Sequence, residues 1–130
     1  GKGDFNEAFA QYFIGDSFLN PLTDPKETAV FLANVTFEPG CRNNWHIHHA
    51  DKGGGQILLV TGGRGYYQEW GKPARELHAG DVVNIPAGVK HWHGAAPTSW
   101  FAHLAIEVPG ENTKSEWCEP VDAEEYNKLK

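Results

Sequence analysis

Fifteen glycines and eight prolines cut this 130-residue chain into apolar runs too short for most helices. The runs are rich in β-branched and aromatic residues, as in "TAVFLANVTF" and "QILLVTGG", and turn residues separate them. Strands are predicted at Tyr12–Leu19, Ala29–Phe37, Asn44–His48, Gly55–Thr61, Gly65–Trp70, Arg75–Leu77, Asp81–Ile85, His91–Ala95 and Phe101–Val108. The breaks at Pro39-Gly40, Gly53-Gly54-Gly55, Gly62-Gly63, Ala79-Gly80 and Pro86 to Gly88 carry turn chemistry. Only the ends look helical: a short turn within Asp4–Gln11, and Ala123–Leu129 behind a capping box of Asp122 and Glu125. The pattern predicts an all-β fold. A closed or sandwiched antiparallel barrel is its simplest form, because closure removes exposed sheet edges. With no linker or repeat, residues 1–130 read as one domain, with a barrel core over 28–108, an N-terminal strand region at 12–19 and a C-terminal helix at 123–129.

Charge excludes two classes of partner. The chain carries a net charge of −6, and its eleven basic residues are scattered. A nucleic-acid surface needs clustered Lys and Arg, and a membrane-surface helix needs a basic amphipathic face; neither pattern is present. No apolar stretch approaches the ~20 residues of a spanning helix. Cys41 and Cys118 are too few for a disulfide framework and are expected as free thiols. A chain that opens on Gly1 and holds no Met reads as one whose natural start is missing; without a signal-peptide pattern, a cytoplasmic protein is expected.

Seven histidines stand at positions 46, 48, 49, 78, 91, 93 and 103. Side chains alternate along a strand, so His46 and His48 share one face, as do His91 and His93. Two-residue spacing aims two imidazoles at one point, which suits a divalent metal. A single strand histidine is more often a hydrogen-bonding core residue. Two His-x-His pairs, each behind a glycine-containing turn, favour a metal instead.

These residues carry a resemblance. "GCRNNWHIH" (Gly40–His48), followed by Gln56 and Gly63, resembles the first motif of the cupin superfamily. "GDVVNIPAGVKHWHGA" (Gly80–Ala95) resembles the second, with Ala95 where Asn is often found. The chain from about Tyr12 to Asn127 is further similar to small bacterial cupins described as manganese-dependent hydroxynitrile lyases. The resemblance implies a jelly-roll (double-stranded β-helix) barrel and a metal held by His46, His48, Gln56 and His91, with His103 in the pocket. One departure is the seven-residue insert "HADKGGG" between His48 and Gln56, where those relatives have a shorter link. Asp51 within the insert is the competing fourth ligand.

Three imidazoles and an amide are all neutral, so a bound divalent ion would keep its full charge and act as a strong Lewis acid. Manganese is favoured by the resemblance; iron, zinc and nickel accept the same donors. His93 and His103 are candidate acid–base residues beside the metal. His49 is expected at the rim and His78 at a surface turn. Trp45, Trp92 and Trp100 are assigned to packing, and nothing marks Cys41 as an activated nucleophile. The expected function is a metalloenzyme acting on a small organic substrate, as a hydroxynitrile-lyase-like carbon–carbon lyase. The alternatives are a cupin dioxygenase or other redox cupin, and a non-catalytic ligand-binding cupin. A homodimer or higher homo-oligomer is expected, with the aromatic stretch Phe5–Phe18 as its contact.

Overall fold

Every strand pairing among the described residues is antiparallel. The structure is a computed structural model that describes residues 1–24 and 26–130. In chain order the strands are β1 (Asp4–Phe5), β2 (Phe13–Ile14), β3 (Ser17–Pro21), β4 (Phe31–Phe37), β5 (Arg42–Asn43), β6 (His46–His49) and β7 (Lys52–Gly53). They continue as β8 (Gln56–Glu69), β9 (Arg75–His78), β10 (Val82–Ile85), β11 (His91–Ala95), β12 (Phe101–Glu107), β13 (Gly110–Glu111) and β14 (Lys114–Trp117), before helix α1 (Ala123–Asn127). Twelve of these strands form one sheet that curls over into a half-barrel, and β7 and β13 form a separate two-stranded ribbon.

Strand β8 produces the curl. The sequence predicts two strands here, Gly55–Thr61 and Gly65–Trp70, but the chain runs through as one. Its first half pairs with β12 and β10, and its second half with β11 and β9. The Gly62-Gly63 signal marks a bulge rather than a turn. Opposite it, the partners on β12 jump from Gly62 to Val60 between Ala102 and His103, skipping Thr61. A bulge adds local twist and bends the strand, which here carries it from one layer to the other.

Alternation places the core between the layers. Ala33, Val35 and Phe37 of β4, Leu58 and Val60 of β8, and Phe101 and Ala105 of β12 all face inward. Strand β11 differs, being buried along its whole length. His91 and His93 lie on one face. Trp92, on the other, packs with Trp45, Tyr66 and Tyr126 of α1. Tyr126 also donates its hydroxyl hydrogen bond to the Ala95 carbonyl, tying the helix to β11.

The ends depart from expectation. Asp4–Gln11 is not helical: Asp4 and Phe5 pair with Leu19 and Phe18, and only Ala10–Tyr12 forms a 3₁₀ turn. The expected strand Tyr12–Leu19 is split by Gly15, at φ +87, where a Cβ would press on Cys41. Cross-strand pairing has overridden local propensity. At α1, Asp122 caps the Glu124 N–H at 3.1 Å, but Glu125 pairs with Lys128 at 3.2 Å instead of closing the box. Trp100, expected to pack in the core or at an interface, is 48% exposed and lies beside Phe18. Strand β14 was not expected at all; it is mostly exposed, and its charged sequence gives no apolar alternation. No helix among the described residues is long and apolar enough to cross a membrane.

The bulge is testable with neighbouring glycines. Gly63 has φ +71, and a Cβ there would collide with the Trp100 carbonyl, whereas a Cβ on Gly62 meets open space. Gly63→Ala should lower unfolding free energy by at least about 2 kcal/mol, from strain and displaced backbone. Gly62→Ala should change it by less than about 1 kcal/mol. Equal denaturation midpoints for the two variants would contradict the bulge.

Candidate metal centre

Antiparallel pairing sets His91 directly opposite His46, while His48 follows two residues along β6 on the same face. The three side chains offer ring nitrogens that all lie within 4.8 Å of one another. That spacing lets one ion reach all three, and imidazole is a common transition-metal ligand.

The hydrogen bonds settle which nitrogens are free. His46 Nδ1 lies 2.8 Å from the Asn44 carbonyl, and His91 Nδ1 lies 2.9 Å from the Val89 carbonyl. A carbonyl only accepts, so each Nδ1 carries the proton and each Nε2 keeps its lone pair. Both bonds reach back two residues along the chain. This outer-shell arrangement is the usual one for a metal-binding histidine. His48 Nδ1 faces Ser115 Oγ at 3.4 Å, across the β6–β14 pairing. The Nε2 atoms of His48 and His91 are buried with no hydrogen-bond partner. Unpartnered buried polar atoms are rare and costly, so two of them beside each other fit the donor set of a cation.

Gln56 begins β8 beside this cluster. Its Nε2 donates to Glu107 Oε1 at 2.7 Å, and its Oε1 is buried without a partner. Asp51 is not brought to the cluster: it is exposed and accepts a hydrogen bond from Asn112 at 2.7 Å. The insert is ordered by pairing. Lys52 and Gly53 form β7 against β13, and Gly53, Gly54 and Gly55 all have positive φ, at +60, +78 and +90. A side chain on Gly55 would strike the Ile85 carbonyl.

His93 and His103 lie deeper. Asn43 Oδ1 accepts from the His93 backbone N–H at 3.0 Å, which fixes the Asn43 amide. Asn43 Nδ2 then faces the His93 ring, 3.2 Å from Nε2 and 3.5 Å from Nδ1. His93 Nδ1 lies 3.1 Å from His103 Nε2, so one of the two rings donates to the other. His103 Nδ1 is buried without a partner. This chain ends at an open ring nitrogen that a bound molecule can engage.

A cavity of about 250 Å³ joins the two groups. Its wall includes His46, His48, Gln56, His93 and His103, with an apolar side from residues such as Phe13, Val35 and Trp117. An outer vestibule of about 500 Å³ shares His48, Glu107 and Ser115 with it and is rimmed by Pro109 and Gly110. His49 sits at the rim, 2.7 Å from Glu116, and His78 is on the surface against Glu76. Asn43, Glu107, Ser115 and Trp117 were not anticipated. Glu107 was discoverable, because alternation puts it on the same face of β12 as His103. Ser115 and Trp117 lie on a strand the sequence does not announce. Cys41 is fully buried, and burial, the main cause, pushes its thiol up to about 12, so it is no nucleophile.

Burial is also the largest influence on the five inner histidines. It holds His46, His48 and His93 below the ordinary 6.5, and it brings His91 and His103 to about 4. All five are therefore neutral at pH 7, as metal binding requires. The unfolded chain protonates these rings near 6.5 and the folded chain does not, so metal-free protein should lose stability as pH falls from 6.5 towards 4. His103 alone accounts for up to about 3 kcal/mol of that loss. In thermal melts of metal-free protein, His103→Gln should flatten the acid slope while keeping an acceptor for His93. An unchanged slope would move that titration elsewhere.

Comparison with known proteins agrees with this geometry. Residues 33–104 match the Cupin_2 family model, described as a cupin domain. The chain is 42% identical over 129 residues to an (R)-mandelonitrile lyase of Granulicella tundricola, covering 98% of this chain and 92% of that protein. It is 40% identical to the crystal structure of a cupin-like protein from Thermotoga maritima, with a TM-score of 0.84 over 99% of this chain and 94% of that one. A cupin 2 conserved barrel domain protein from Rhodopseudomonas palustris shares the fold at 16% identity, with a TM-score of 0.67 over 90% of this chain and 74% of that one. By its fold, its three-histidine cluster and these relatives, the chain belongs to the cupin family.

Proposed function

We propose that this cupin is a metal-dependent lyase that cleaves an aromatic cyanohydrin into an aldehyde and hydrogen cyanide. The observation that carries the reading is the neutral three-histidine cluster opening into a small, largely apolar cavity. The 42% identity to an (R)-mandelonitrile lyase supports the substrate class. His46, His48 and His91 hold the ion through Nε2, and Gln56 adds its amide oxygen. Manganese(II) is the favoured ion. When bound, the ion supplies a Lewis acid that polarises the substrate oxygen.

The chain's own residues do the rest. The apolar wall of Phe13, Val35 and Trp117 holds the aryl group and excludes water. Cleavage of the carbon–carbon bond removes one proton from the hydroxyl and gives one to cyanide. The His103–His93 pair handles both transfers and ends neutral. His103 Nε2 faces His93 Nδ1 at 3.1 Å, and His103 Nδ1 is open. With His103 protonated at Nδ1, that proton goes to cyanide while Nε2 opens its contact with His93 to take the hydroxyl proton. Burial makes a lone imidazolium unfavourable here, so the two transfers should be closely coupled.

The test is benzaldehyde release from mandelonitrile by metal-free protein reconstituted with Mn(II), Fe(II) or Zn(II). Activity with Mn(II) well above that of the metal-free protein is expected. No activity with any ion, together with substrate-dependent oxygen uptake with Fe(II), would turn the assignment to a redox cupin. His91→Ala should lose stoichiometric metal in elemental analysis, and retained metal would refute the ligand set.

A further inference from the structure

We propose that Glu107 is a positioning residue: its carboxylate sets the Gln56 side-chain amide so that the oxygen, not the nitrogen, faces the three histidines. This rests on the reading of Gln56 as a metal ligand. The two residues are direct partners in the β8–β12 pairing, so their side chains rise side by side on the inner face. Glu107 Oε1 lies 2.7 Å from Gln56 Nε2. A carboxylate at that distance accepts and does not donate. Turning the amide over would press two oxygens together at the Glu107 side. On the other side it would aim an N–H₂ donor at the lone pairs of the cluster. Gln56 Oε1 is instead left buried with no partner, beside the equally unpartnered Nε2 of His48.

The need for such a device follows from the amide itself. A glutamine presents a donor and an acceptor of nearly equal shape, and only the oxygen can ligate a cation. Glu and Asp ligands have no such ambiguity. A neutral ligand set keeps the full charge on the ion, and the cost is that one ligand must be oriented by a neighbour. Metal ligands are commonly held by hydrogen bonds of this outer kind, and removing one costs about 10–100-fold in metal affinity.

The experiment titrates Mn(II) alone into metal-free protein and counts free ion by its solution electron paramagnetic resonance signal. Glu107→Leu should weaken binding by at least about 10-fold. Glu107→Gln can offer Gln56 either an oxygen or an N–H₂, so it no longer dictates the sense of the amide and should weaken binding, though by less than Glu107→Leu. In a Gln56→Ala background, Glu107→Leu should add almost nothing, because the group it positions is gone. If Glu107→Leu keeps its full effect without Gln56, Glu107 acts through its charge and the positioning role is overturned. If Glu107→Leu binds normally while Gln56→Ala does not, the role is likewise overturned and the ligand stands. If Gln56→Ala itself binds Mn(II) like the unaltered protein, the ligand assignment fails, whatever Glu107 does. The same cycle run with Glu107→Gln in place of Glu107→Leu keeps the test decisive should Glu107→Leu fold poorly.

Discussion

The site depends on one backbone pairing, His91 of β11 opposite His46 of β6. Residues facing each other across antiparallel strands have Cβ atoms about 4.5–5.5 Å apart, and their side chains rise in the same direction. The third imidazole, His48, comes from the same strand by simple alternation. No loop has to fold precisely to bring these three together. The pairing is in turn held from outside, because β11 is buried on its far face by Trp92, Trp45, Tyr66 and the helix residue Tyr126. The C-terminal helix is remote from the chemistry, yet it clamps the strand that supplies His91 and His93.

Burial gives the site its chemistry. Desolvation keeps the rings neutral, and backbone carbonyls two residues upstream fix the tautomers of His46 and His91. The same desolvation creates the strain that a cation relieves, since lone pairs without partners are unfavourable in a dry interior. Deeper in, the Asn43–His93–His103 chain is ordered by a single backbone N–H that fixes the Asn43 amide. Two amides, those of Asn43 and Gln56, thus carry directional information for two different functions. Each is oriented by a partner that can act in only one sense: an N–H for Asn43, a carboxylate for Gln56.

Much of this was legible in the sequence, and the failures share a cause. Strand alternation and the His-x-His spacing put His46 with His48 and His91 with His93 on shared faces, because they depend on a period of two; the choice of His91 to join the first pair came from the cupin resemblance. Signals that depend on distant pairing were misread. Gly62-Gly63 looks like a turn until β12 is seen lying across it, where it becomes a bulge in a continuous β8. Asp4–Gln11 lost its helical expectation to pairing with β3. Strand β14 has no apolar alternation, because Lys114, Ser115 and Glu116 are all exposed and only Trp117 is apolar. That hid Ser115 and Trp117, which nevertheless close one side of the cavity. Glu107 shares a face with His103 but reads as an ordinary polar strand end until its partner Gln56 is known.

The segment between His48 and Gln56 leaves the main sheet and returns to it. Its ends are fixed by β6 and β8, both held in the main sheet. Lys52 and Gly53 fold back as β7 and pair with β13, and three successive glycines return the chain to β8 at Gln56. Because Gln56 starts a strand paired on both sides, with Ile85 and with Glu107, its position is set by the sheet and not by the length of what precedes it. The consequence of the insert falls on the mouth. Gly55 lines the vestibule from the end of the insert, and Pro109 and Gly110 face it from the other side. His46, His48, His91, His93 and His103 all sit on strands of the main sheet, while the entrance is lined in part by the short β7–β13 ribbon, so the two are built from separate pairings.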